Sequence, residues 1–111
     1  MNRRRSERVL LQIRIVVDTT IEGGQHVRLD AFTLVVNAHG GLAELGLKLP
    51  KGHKLLVTNP AMRTQELCHV VATEKSRDGQ FAVAFEFDNP APHFWPLQIR
   101  PTDWEFVHSR P

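Results

Sequence analysis

Turn-forming clusters recur about every ten residues along this chain, and that spacing constrains its fold more than any other feature. Gly23-Gly24, the stretch 37–41, Pro50 with Gly52, Asn59-Pro60 and the stretch 76–79 supply the Gly, Pro, Asn and Asp residues that reverse a backbone. The runs between them are short and have a period of two. Residues 9–17 alternate, with Leu11, Ile13, Ile15 and Val17 on one face and Gln12 and Arg14 on the other. Residues 26–36 grow more apolar toward their end, where Phe32, Leu34 and Val36 are expected to share a face. Runs at 42–45, 53–58, 65–74 and 81–87 complete six strands; the last sets Phe81, Val83, Phe85 and Phe87 against Ala82, Ala84 and Glu86. No useful helical period occurs before residue 90. The pattern predicts an all-β chain, a six-stranded antiparallel barrel or sandwich.

The tail changes character. Pro90, Pro92 and Pro96 each lack the N–H that a strand interior needs. One helical turn is expected over 93–97 and another over 102–105, capped by Thr102 or Asp103. Some of Phe94, Trp95, Trp104 and Phe106 are expected to close one barrel opening, each contributing about 1.5–3 kcal/mol on burial. With 111 residues the chain reads as one domain: a basic arm (1–8), a barrel (9–88) and a Pro- and aromatic-rich, partly helical tail (89–111).

No apolar run reaches the roughly 18–20 residues a membrane helix needs. Residues 9–17 are interrupted by Gln12 and Arg14 and lack a small-residue cleavage site, which makes a poor signal peptide. A single cysteine, Cys68, excludes an intrachain disulfide and suits a reducing compartment. A cytoplasmic protein without membrane insertion is the expectation. The net charge is +2, but Arg3, Arg4, Arg5 and Arg8 against Glu7 concentrate it in the first eight residues. A local arginine cluster suits a compact anion better than a long nucleic-acid face.

Catalytic chemistry finds little support. The six histidines, at 26, 39, 53, 69, 93 and 108, show no metal-ligand spacing and have no cysteine pair beside them. Cys68 reads as a buried small hydrophobe, since the adjacent His69 would point to the opposite face of a strand. Glu44, Glu66, Glu74 and Glu86 fall at solvent-facing positions or strand ends, with no acid–base pairing. The expectation is a protein that is not an enzyme and holds no metal or cofactor.

Two features remain. Arg4 and Arg8 form an RxxxR ahead of the first strand, with Arg5 between them; planar guanidinium forks grip phosphate oxygens and stack on purine rings. About 30 residues later comes VVNAHGGLAEL, a reversal built on Asn37, Ala38, His39, Gly40 and Gly41, where Asn and Gly tolerate left-handed backbone angles. Glycine there also leaves bare amides suited to an anion or another backbone.

This order, followed by LPKGHKLLVTNP, ELCHVVATE and QFAVAFEFDNPAPHFW, resembles the PilZ domain family along the length of the chain. The resemblance implies a small β-barrel and, as in many members, a bacterial signalling protein that binds the second messenger cyclic di-GMP. The family signature pairs RxxxR with (D/N)xSxxG. With Asn37 in the D/N place, His39 stands where the family has Ser and Leu42 where it has Gly. With Gly41 as the final Gly, Val36 and Ala38 take the D/N and Ser places. The implied ligand residues are Arg4, Arg5 and Arg8 for phosphates and a base, and Asn37, His39, Gly40 and Gly41 for the guanine end. A receptor or adaptor that passes the signal to a protein partner follows. The alternatives are a motif-degenerate module that docks a protein without the nucleotide, or a small nucleic-acid-binding barrel. The last lacks the interleaved aromatic and basic residues of a stacking platform.

Overall fold

Period-two runs bury one face only if they pair in register, and here they do so antiparallel throughout. The computed structural model describes residues 9–96. Its strands are β1 (Val9–Leu10), β2 (Arg14–Thr20), β3 (His26–Asn37), β4 (Gly40–Leu45), β5 (Lys54–Asn59), β6 (Thr64–Arg77) and β7 (Gln80–Phe87). They lie in the order β1-β3-β2-β5-β6-β7-β4, and β3 also pairs with β4. Six strands therefore close a barrel wall, with β1 as a two-residue extension beside the end of β3. Closure leaves the long strands without an open edge. Among the described residues there is no α-helix; a 3-10 turn at Glu22–Gly24 is the helical exception.

The first expected strand is divided in two. Residues 9–17 alternate as expected, but the ladder stops at Leu10 and resumes at Arg14. Thr33 of β3 fills the gap. Its hydroxyl donates to the Leu11 carbonyl at 2.6 Å and accepts from the Ile13 amide at 2.9 Å, while its own amide bonds to the Ile13 carbonyl. One buried side chain thus takes the place of a backbone partner and joins β1 to β2 across the break.

One face needs correction. Phe32 and Leu34 do not share the inner face with Val36. The register between β3 and β4 shifts between Thr33 and Val35, and such a bulge inserts one residue and reverses the side-chain phase beyond it. Ala31, Thr33 and Val36 therefore point inward, and Phe32 and Leu34 outward. A second shift in β6, between Val70 and Ala72, leaves Val71 exposed; Leu67 also points outward, while Cys68 and Val70 are buried. In β7 the expected alternation holds: Val83, Phe85 and Phe87 are buried.

The core runs from Ile15 and Val17 through Val57, Val70 and Val83 to Phe85 and Phe87. The tail closes it. Phe94 and Trp95 are both buried, Phe94 with its ring 5.0 Å from Phe87 and edge-on to Trp95 at 4.8 Å. Asn59, fully buried at the end of β5, donates from Nδ2 to the Phe94 carbonyl at 2.9 Å. The helical turn expected from residue 93 is instead a tight turn closed by the Phe94 amide on the Ala91 carbonyl; prolines on both sides disfavour a longer helix. The turn expected over 102–105, with Trp104 and Phe106, lies outside the described residues.

Candidate functional site

β3 and β4 are joined through Ala38 and His39 alone, with Asn37 paired to Gly40. The reversal is made by a side chain. Asn37 Oδ1 accepts from the His39 amide at 2.8 Å and from the Gly40 amide at 3.0 Å, an Asx turn that imitates a backbone bond. The expected left-handed angles are absent from this turn. Positive φ occurs at Gly23, Gly24, Gly52, Gly79 and Arg63, and at none of residues 37–41.

The two glycines answer a different need. A Cβ on Gly40 would sit 2.0 Å from the Phe85 carbonyl oxygen, and one on Gly41 would lie 3.1–3.3 Å from the Val35 carbonyl, the Phe85 ring and the Trp95 ring. They allow close approach of β4 to β7 and of Trp95 to the turn.

Trp95 locks the turn from inside. Its indole N–H points at the carbonyls of Asn37 (3.0 Å) and Gly40 (3.2 Å), and the His39 carbonyl accepts from the Phe87 amide at 2.8 Å. The amides of His39 and Gly40 are thus satisfied within the turn, and three of its carbonyls within the fold. What faces outward is limited to side chains and backbone edges of a rigid loop; Ala38 is buried and His39 half-buried. Sequence reasoning placed Trp95 in the barrel opening but missed its role at the turn, which lies 58 residues away along the chain.

The arginines Arg4, Arg5 and Arg8 lie outside the described residues. Their attachment point does not. Val9, bonded directly to Arg8, pairs with Val36, bonded directly to Asn37. Val9, the first described residue, therefore lies beside the end of β3 that leads into the turn, held there by the β1 ladder and by Thr33.

Other polar groups gather beside the turn, where Glu86 pairs with Gly40 and His69 pairs with Glu86, and further along the wall. Lys54 and His69 both bond Asp88, His69 through Nδ1 at 2.8 Å, and His69 Nε2 approaches Glu86 at 3.4 Å. The Lys54 ammonium first, then the His69 ring, hold the Asp88 carboxyl below its ordinary 3.8. Glu44 is held below 4.5 by the Ser76 hydroxyl and then the Arg77 guanidinium, against the opposing effect of burial. Desolvation pushes the Cys68 thiol up to about 12, with Asp88 and Glu66 adding to it, so the thiolate that nucleophilic chemistry needs is suppressed. An open groove of about 510 Å³ is lined by Asp18, His26, His53, Lys54, Leu56 and Leu67, among others. Within it the Thr19 hydroxyl donates to the Lys54 carbonyl and must accept from His53, placing the His53 proton on Nε2. Among the described residues no group of three or more His, Cys, Asp or Glu side chains is arranged to hold a metal ion.

Comparison with models of known families, with curated proteins and with solved structures finds no match.

Proposed function

We propose that the chain is a non-catalytic receptor or adaptor module that binds cyclic di-GMP at the junction of the N-terminal arm and the 37–41 turn. The register of Val9 with Val36 carries this reading, because it roots the RxxxR arm beside the turn. In this reading Arg4, Arg5 and Arg8 grip phosphates and stack on a base. Asn37, His39, Gly40 and Gly41 form the wall against which the ligand rests, with His39 the side chain there best suited to stack on a guanine. The turn amides already serve Asn37, so the arginines supply most of the affinity. Ligand binding would order the arm against the barrel, and a protein partner would read that change.

A second reading, a motif-degenerate module that docks a protein and ignores the nucleotide, is favoured by one observation. The polar groups of the turn are already engaged, by Asn37 Oδ1, the Trp95 indole and the Phe87 amide. Calorimetric titration separates the two. Binding with a dissociation constant tighter than about 100 µM, near −5.5 kcal/mol, supports the receptor. No heat up to that concentration leaves the docking module.

A further inference from the structure

Where β5 turns into β6, two polar side chains face each other inside the barrel. Asn59, the last residue of β5, pairs directly with Thr64, the first of β6. Residues so opposed present their side chains on one face, with Cβ atoms about 4.5–5.5 Å apart. Asn59 is fully buried. Among the described residues, Asn59 Oδ1 and Thr64 Oγ1 are both shut off from solvent, and neither has a hydrogen-bond partner. The loop between them is fixed by the Met62 amide on the Asn59 carbonyl and the Arg63 amide on the Pro60 carbonyl, which holds the pair in register.

The tail decides which way the Asn59 amide points. Its Nδ2 donates to the Phe94 carbonyl at 2.9 Å; the flipped amide would set oxygen against oxygen there, so Oδ1 is the atom that needs a donor. An amide oxygen only accepts, while the Thr64 hydroxyl both donates and accepts. Whatever serves the pair must therefore donate to Asn59 and bond Thr64 in either sense. Neither side chain is charged, so a cation between them would be buried without a counter-charge. A water meets both demands. Leaving an amide oxygen and a hydroxyl unpaired together costs more than bringing one water to rest, and internal waters characteristically serve buried polar groups of this kind.

We propose that the Asn59–Thr64 pair is a binding site for a single internal water, which donates a proton to Asn59 Oδ1 and accepts the Thr64 hydroxyl proton. Through Asn59 this water ties the β5–β6 hairpin to the Phe94 carbonyl. Phe94 is bonded to Trp95, whose indole holds the Asn37 and Gly40 carbonyls. The water thus belongs to the set of contacts that fastens the tail inside the barrel. The competing arrangement is a direct bond from the Thr64 hydroxyl to Asn59 Oδ1.

The test uses the full chain. Oxygen-17 relaxation dispersion of the solvent counts water oxygens that stay bound longer than the molecule tumbles. Thr64→Val keeps the side-chain shape and removes the hydroxyl, and should lower the dispersion amplitude by the equivalent of one water. Thr64→Ser keeps the hydroxyl and should leave the amplitude unchanged. A dispersed Trp95 indole N–H resonance certifies an intact barrel and tail in each variant. Independently, the Asn59 side-chain amide protons of the unsubstituted chain should show a cross-peak to water with opposite signs in NOE and ROE spectra, the mark of long residence. Equal dispersion in the unsubstituted and valine chains would overturn the proposal. So would an Asn59 amide with no such cross-peak, or a Thr64 hydroxyl proton whose NOEs place it directly on Asn59 Oδ1.

Discussion

Removing one oxygen from the barrel interior should destabilise it more than removing a methyl. Thr33 is fully buried, and its hydroxyl satisfies both the Leu11 carbonyl and the Ile13 amide where the first strand breaks. Thr33→Val keeps the shape and deletes that hydroxyl, leaving two backbone groups without partners. An orphaned group costs about 1–3 kcal/mol. Leu11 and Ile13 are half-buried, so water reaches part of the gap and the low end applies to each, about 2–3 kcal/mol in total. Urea slopes for small domains run at about 1–3 kcal/mol per molar, so the unfolding midpoint should fall by roughly 1–2 M. Thr33→Ser keeps the hydroxyl and loses one methyl, and should cost about 1 kcal/mol. Amide exchange at Ile13 should accelerate in the valine variant and not in the serine variant. A valine variant within about 0.5 kcal/mol of the unsubstituted protein would refute the reasoning, because the hydroxyl would then not be holding the two strand pieces together.

Three further outcomes are expected. Gly40→Ala should cost about 3 kcal/mol or more, read as a large fall in melting temperature, because the clash is with the Phe85 backbone and not a movable side chain; Gly46→Ala, whose nearest neighbour would be 3.6 Å away, should be tolerated. Asn37→Ala should cost about 1–2 kcal/mol through its two lost amide partners, while Asn37→Asp keeps the acceptor and should be close to neutral by the same denaturation assay. Asp88 and Glu44 have folded-state values below 3.8 and 4.5. They therefore contribute stability that is present above those values and lost as pH falls through the lower folded ones. Asp88→Asn or Glu44→Gln should flatten that acid limb of a stability–pH profile and leave its alkaline side unchanged.

How much of this was legible in the sequence depends on where the chain keeps strict phase. Residues 80–87 have no bulge, and their alternation reads directly as the inner wall. In β3 and β6 a register shift reverses the phase, so Phe32 and Leu34 stand on the opposite face from Val36, and Val71 is exposed next to buried Val70. No local pattern announces a bulge, because it is settled by pairing with a partner far along the chain. The break after Leu10 was hidden for a similar reason: the alternation persists through residues 11–13, and only the Thr33 hydroxyl reveals that the ladder does not. At the turn the residue types were informative and their reason was not. Asn37 reverses the chain through its side chain, while Gly40 and Gly41 make room for Phe85 and Trp95, a demand visible only once β7 and the tail are in place. Motif order alone suggested pairing the arm with the turn; the register of Val9 with Val36 was not legible there.

The central claim is that the arm and the turn form one ligand site, and amide chemical-shift mapping during titration with cyclic di-GMP tests it most directly. Shifts should concentrate at Val9, Leu10, Val36, Asn37, His39 and Gly40, weaken with added salt because phosphate contacts are screened, and disappear in Arg4→Ala/Arg8→Ala. Spectra unchanged at saturating ligand, or shifts confined to the Asp18–His53 groove at the far end of β2, would contradict it.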